Sequence, residues 1–141
     1  MKRLLLLFVL SLSLVSCSND DVDDKPVVVT DYYGKWVQTS EGTPFAAADV
    51  VKTSELYYEL NRDNTFVKTL IFEGKTTKAS GTFEVIKNET GSHFLLTFSL
   101  ESFLISSCTG GLQESLTLDN KGYLNDNAGM CDRYGKYKKV K

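Results

Sequence analysis

The stretch 31–141 predicts an all-β domain, a small antiparallel up-and-down barrel of about eight strands. Two observations carry that expectation. Apolar residues recur with a period of two in run after run, which is the spacing of a strand with one face on a core. Turn-forming clusters separate the runs at short intervals, and only residues 44–52 offer a helical stretch. Short strands joined in sequence make a meander, and a meander hides its two exposed edges most completely by closing on itself.

The first strand opens at Gly34-Lys35-Trp36. Leu56, Tyr58 and Leu60 then alternate with Glu55, Tyr57 and Glu59, and after the turn Asn61-Arg62-Asp63-Asn64 the residues Phe66, Leu70 and Phe72 share one parity, broken by Lys68. Glu73-Gly74-Lys75 turns the chain into Ala79, Gly81, Phe83 and Val85, which alternate with Lys78, Ser80, Thr82 and Glu84. Beyond the polar stretch 87–92 come Phe94, Leu96, Phe98 and Leu100, the clearest alternation in the chain. Leu112, Leu116 and Leu118 stand opposite Gln113, Ser115 and Thr117, and Asp119-Asn120-Lys121-Gly122 leads on to a closing strand at Tyr137-Lys138-Lys139-Val140. The parity carrying Tyr58, Leu70, Phe83 and Phe98 is expected to face inward, because same-parity side chains on neighbouring antiparallel strands share a face. Those four either fill the barrel or, with Trp36, wall a ligand pocket. The carboxylates Glu55, Glu59, Glu84, Glu101 and Glu114 are expected on outward, solvated faces.

Ahead of the barrel, Lys2-Arg3, an apolar stretch over residues 4–14, and Leu14-Val15-Ser16-Cys17 together resemble a bacterial lipoprotein signal with its lipobox. The apolar run falls short of the ~20 residues that span a bilayer. The resemblance implies removal of residues 1–16, acylation of Cys17 as the membrane anchor, and a tether over 17–30, where acids, Asn, Ser and Pro26 replace any hydrophobic pattern. Ser18-Asn19-Asp20-Asp21 is similar to the acid-rich export tag of Bacteroidota-type surface lipoproteins. In other Gram-negative lipoproteins the residue after the Cys sorts the protein, and Ser18 there favours the outer over the inner membrane. Both readings therefore imply a lipid-anchored outer-membrane protein, surface-exposed in the case of the export tag. Processing takes Lys2 and Arg3 from the 16 basic side chains, leaving 14 against 18 acidic ones, a net charge of −4. Four of the acids sit in the tether, so the domain is close to neutral and lacks the concentrated basic face that a nucleic acid would require. Roughly 110 residues suffice for one core and not for two.

Gly34-Lys35-Trp36 matches the G-x-W signature of lipocalins and of the small lipocalin-like domains of bacterial lipoproteins. Asp63-Asn64-Thr65-Phe66 and Gly81-Thr82-Phe83 are similar to the D-x-T-F turn and G-T-F strand opening of the same bacterial domains. The resemblance covers roughly residues 32–141 and implies that Trp36 plugs a barrel floor, where Gly34 allows a close approach. Two departures stand out. The T-D-Y motif of larger lipocalins is absent, and the arginine that stacks on their tryptophan has a single candidate, Arg133.

With Cys17 committed to lipid, Cys108 and Cys131 form an even pair in an oxidising compartment, and a disulfide between them is expected. Closing that loop stabilises a fold by roughly 3–4 kcal/mol in the chain-entropy model. His93 is the lone histidine and no C-x-x-C occurs, so neither a metal site nor a cofactor is expected. No G-x-S-x-G, H-E-x-x-H or phosphate-cradling glycine loop is present, and no enzymatic activity is expected. The tyrosine pairs Tyr32-Tyr33 and Tyr57-Tyr58 should each place one ring inside and one outside. Together these features point to an outer-membrane lipoprotein whose barrel binds a small hydrophobic or amphipathic ligand. The alternative is a protein–protein interaction module, such as an envelope assembly factor or a lysozyme-inhibitor-like lipoprotein.

Overall fold

The computed structural model describes residues 31–39, 54–89, 91–131 and 134–141. Residues 1–16, Cys17, the tether, the helix candidate 44–52 and Arg133 lie outside them. Eight strands follow one another: β1 (Gly34–Gln38), β2 (Ser54–Leu60), β3 (Thr65–Phe72), β4 (Lys75–Asn88), β5 (Gly91–Phe98), β6 (Gln113–Leu118), β7 (Tyr123–Asp126) and β8 (Lys136–Lys139). Each pairs antiparallel with the next, and β8 returns to β1 through Trp36 opposite Lys139 and Gln38 opposite Tyr137. The sheet is therefore a closed up-and-down barrel, and no strand edge is left open.

Register explains how the alternation becomes a core. Trp36 pairs with Tyr58, Leu60 with Phe66, and Leu96 with Phe83, so the inward parity of each strand meets the inward parity of the next. Trp36, Tyr58, Phe66, Phe83, Phe94 and Phe98 are all buried. The long strand β4 pairs with β3 through its first half and with β5 through its second, and Gly81 sits at the handover, opposite both Phe66 and Phe98. A Cβ there would lie 2.0 Å from the carbonyl oxygen of Thr97, so only glycine lets β4 approach β5 at this point. Phe66 and Phe98 meet edge to face with ring centroids 4.8 Å apart. The D-x-T-F turn has an equally local cause: Asn64 adopts φ 62°, and Asp63 Oδ1 accepts from the Thr65 N–H at 3.1 Å and the Thr65 hydroxyl at 2.6 Å. The Asn64 carbonyl in turn accepts from the Phe83 N–H at 2.9 Å, tying this turn to the G-T-F strand.

Three expectations need correction. Glu114 does not face solvent: it shares the inward parity of β6 with Leu116 and is buried, because a cation waits for it inside. Leu100 does not extend the β5 pattern. The strand stops at Phe98 and Leu100 is 79 % exposed. Tyr32 and Tyr33 do not alternate, since the segment before Gly34 is not a strand. Their rings lie 4.5 Å apart and both pack against the core.

Candidate functional site

The barrel has two unlike ends. At one, where β1 begins and the β2–β3, β4–β5 and β6–β7 turns lie, the segment 31–33 folds beneath the sheet. Trp36 is fully buried there, and its indole Nε1 donates to the Tyr32 carbonyl at 2.8 Å, so its one polar atom is satisfied. The Tyr32 ring stands edge-on to Phe94 at 5.1 Å and to Phe83 at 6.4 Å. Among the described residues, this floor is an aromatic plug.

Toward the other end the interior turns polar. Lys68 on β3 and Glu114 on β6 point inward from opposite sides and pair at 2.6 Å, both almost fully buried. Each supplies what the other requires, because a buried charge is tolerated only when paired and hydrogen-bonded. The second carboxylate oxygen of Glu114 accepts from the Tyr58 hydroxyl at 2.6 Å, and the Ser106 N–H donates to the first. The Lys68 ammonium also stands 4.9 Å from the centroid of the Tyr58 ring. Tyr137 packs edge-on to Tyr58 with centroids 4.9 Å apart. Burial pushes both tyrosine hydroxyls well above their ordinary range, so both remain protonated donors.

Asp126, the last residue of β7, completes the group. Its Oδ1 accepts from the Ala128 N–H at 2.8 Å, and its side chain also bonds to Ser106. Desolvation nonetheless raises its pKa above the usual carboxylate value, outweighing those hydrogen bonds.

A strap, residues 99–112 between β5 and β6, crosses this end. Leu104 and Ile105 tuck in, Ser106 reaches Glu114, and Phe103 stays 73 % exposed on top. The β7–β8 connection forms the other side, through the 3₁₀ turn Asn127–Cys131 and then Tyr134, whose ring rests on Gly129 so closely that a Cβ there would meet it at 2.7 Å. Cys108 of the strap and Cys131 of this connection are joined as a disulfide, Cα to Cα 5.6 Å. Two loops far apart in the chain are thereby held as one mouth.

Between them lies a cleft of about 230 Å³. Leu56, Leu70, Phe103 and Leu104 give it apolar walls, Tyr134 and Tyr137 add rings, and Lys68, Ser106 and Asp126 form its polar floor. A larger recess of about 580 Å³ sits on the strap beside Phe103, but its walls are residues of that one loop, so it lacks convergent groups from the barrel.

Of the five residues considered for a ligand pocket, Leu70 lines this cleft. Trp36, Tyr58, Phe83 and Phe98 are packed into the core beneath it. Sequence reasoning missed Glu114, Asp126 and the strap. The signal for the first was present in Lys68, a cation on an apolar parity, which implies a buried acid opposite it. Among the described residues, no three His, Cys, Asp or Glu side chains are placed to share a metal ion.

Comparison with protein-family models, with curated proteins and with solved structures finds no match for this chain. The reading of its function therefore rests on its own residues.

Proposed function

We propose that the protein is a non-enzymatic, lipid-anchored lipoprotein of the outer membrane, with a lipocalin-like barrel that binds a small amphipathic ligand at its open end. The observation that carries the binding reading is the cleft itself, in which apolar walls converge on a small set of charged and hydroxyl groups. Its volume lies below the roughly 300–1,000 Å³ of drug-sized sites. A short-chain molecule, or one end of a longer one, suits it. The anchor rests on the lipobox resemblance at Cys17, and dual acylation of that residue gives stable attachment.

Two experiments test these halves. Titration with short-chain amphiphiles should show saturable binding that Leu70→Trp, which fills the cleft, abolishes without unfolding the barrel. Absence of binding in the wild type refutes the ligand reading. Cys17→Ala should leave the membrane pellet after a carbonate wash, and retention there refutes the anchor.

A protein-binding module is the second reading, favoured by one specific observation. Leu100 and Phe103 project from the strap, 79 % and 73 % exposed, in a position where solvent alone does not reward them.

A further inference from the structure

Resting on the amphiphile reading above, we infer that the mouth selects a small organic cation, an alkylammonium head held against Asp126 between the rings of Phe103, Tyr134 and Tyr137.

Three observations lead there. The first is charge. The cleft and the groups directly beneath it hold two carboxylates, Glu114 and Asp126, and one ammonium, Lys68, among the described residues. Lys68 and Glu114 are engaged with each other at 2.6 Å. The remaining charge at the cleft is negative, and it sits on Asp126. Among the described residues that carboxylate accepts from Ala128 and Ser106, and an ionised carboxylate offers about four lone-pair sites.

The second is the walls. Three aromatic side chains line the cleft from two different connections and one strand, and the face of an aromatic ring attracts a cation desolvated against it. The interior already uses this interaction in Lys68 over Tyr58. A carboxylate ligand would meet none of these advantages and would lie against Asp126.

The third is cost. Burial disfavours the ionised form of Asp126, and an aliphatic or amide side chain at this position would avoid that penalty. A bound cation favours the charged form and offsets that penalty, so the residue that the fold bears at a cost becomes favourable in the complex.

The test uses the purified full chain and three probes of equal chain length: hexyltrimethylammonium, hexanol and hexanoate, titrated by calorimetry. The ammonium should bind at least about tenfold more tightly than either of the others. Asp126→Asn should remove most of that preference and leave hexanol within about twofold. Phe103→Leu and Tyr134→Leu change exposed side chains, so they keep the fold whatever Asp126→Asn does, and each should weaken the ammonium by about two- to fivefold. Equal affinity for all three probes, or preference for hexanoate, overturns the cation inference while leaving an amphiphile site standing. Failure of all three to bind overturns both.

Discussion

The two ends of this barrel are built from the same strands and solve opposite problems. At the floor, Trp36, Phe83 and Phe94 are buried and the half-buried Tyr32 packs against them, with the Trp36 indole and the Tyr32 hydroxyl each matched locally. At the mouth, Lys68 and Glu114 are buried as a pair, Asp126 is buried with a desolvation that its hydrogen bonds only partly offset, and a disulfide holds two connections around a cleft. A fold under no demand but stability would extend the first solution upward. That it does not is the physical reason for locating function at the mouth.

The contrast can be broken most severely at the ion pair. Lys68→Met alone, or Glu114→Leu alone, leaves one buried charge without its partner and should cost about 3–5 kcal/mol, whereas the double variant should recover most of the loss and can exceed the wild type. Urea denaturation of the three variants checks this. Equal, additive losses would mean that the pair is solvated and the mouth is not distinct from a surface. At the floor, Trp36→Ala should cost a comparable ~3–5 kcal/mol by emptying an aromatic site, but with no effect on probe binding beyond that loss.

Replacing both Cys108 and Cys131 by Ser should lower stability by about 3 kcal/mol, the chain-entropy value for a loop of this length (sequence separation 23). It should also weaken probe binding, since the strap then loses its covalent hold on the β7–β8 connection. A loss of stability with unaltered binding would separate the staple from the site.

How much of this was legible in the sequence depends on which end is considered. The alternation of Phe94, Leu96 and Phe98 against polar neighbours placed β5 and its inward face directly, and Gly34-Lys35-Trp36 marked the floor. The mouth was hidden because its residues break the rule by which strands are read. Glu114 looks like one more solvent-facing acid until Lys68 is placed opposite it, and only the closed register, with β3 and β6 facing across the interior, does that. Leu100, read as core by extending the parity, lies past the end of β5. A local periodicity cannot announce where pairing stops.

Asp126 offers a finer test through pH. Its folded pKa lies above the unfolded carboxylate value of about 3.9. Below the unfolded value the side chain is protonated in both states and carries no penalty. As pH rises through the folded value the penalty grows to its full size, because the unfolded chain ionises first. Asp126→Asn removes this dependence and keeps an acceptor for the Ala128 N–H. Its stability relative to the wild type should therefore improve from about pH 4 to pH 7, measured as urea midpoints. A difference that stays constant with pH would show Asp126 to be unstrained. The smallest effect belongs to Phe103→Ala, which should alter stability by less than about 0.5 kcal/mol, as expected of an exposed side chain.

The most direct measurement of where this barrel does its work is a two-dimensional amide spectrum recorded during titration with hexyltrimethylammonium. Trp36 is the chain's single tryptophan, so one indole N–H resonance reports the floor unambiguously. Binding at the mouth predicts shifts at the amides of Leu70, Phe103, Leu104, Ser106 and Asp126, with the Trp36 indole unmoved. A shift of the indole resonance with the mouth amides silent would place the ligand in the floor and contradict the assignment of function to the mouth.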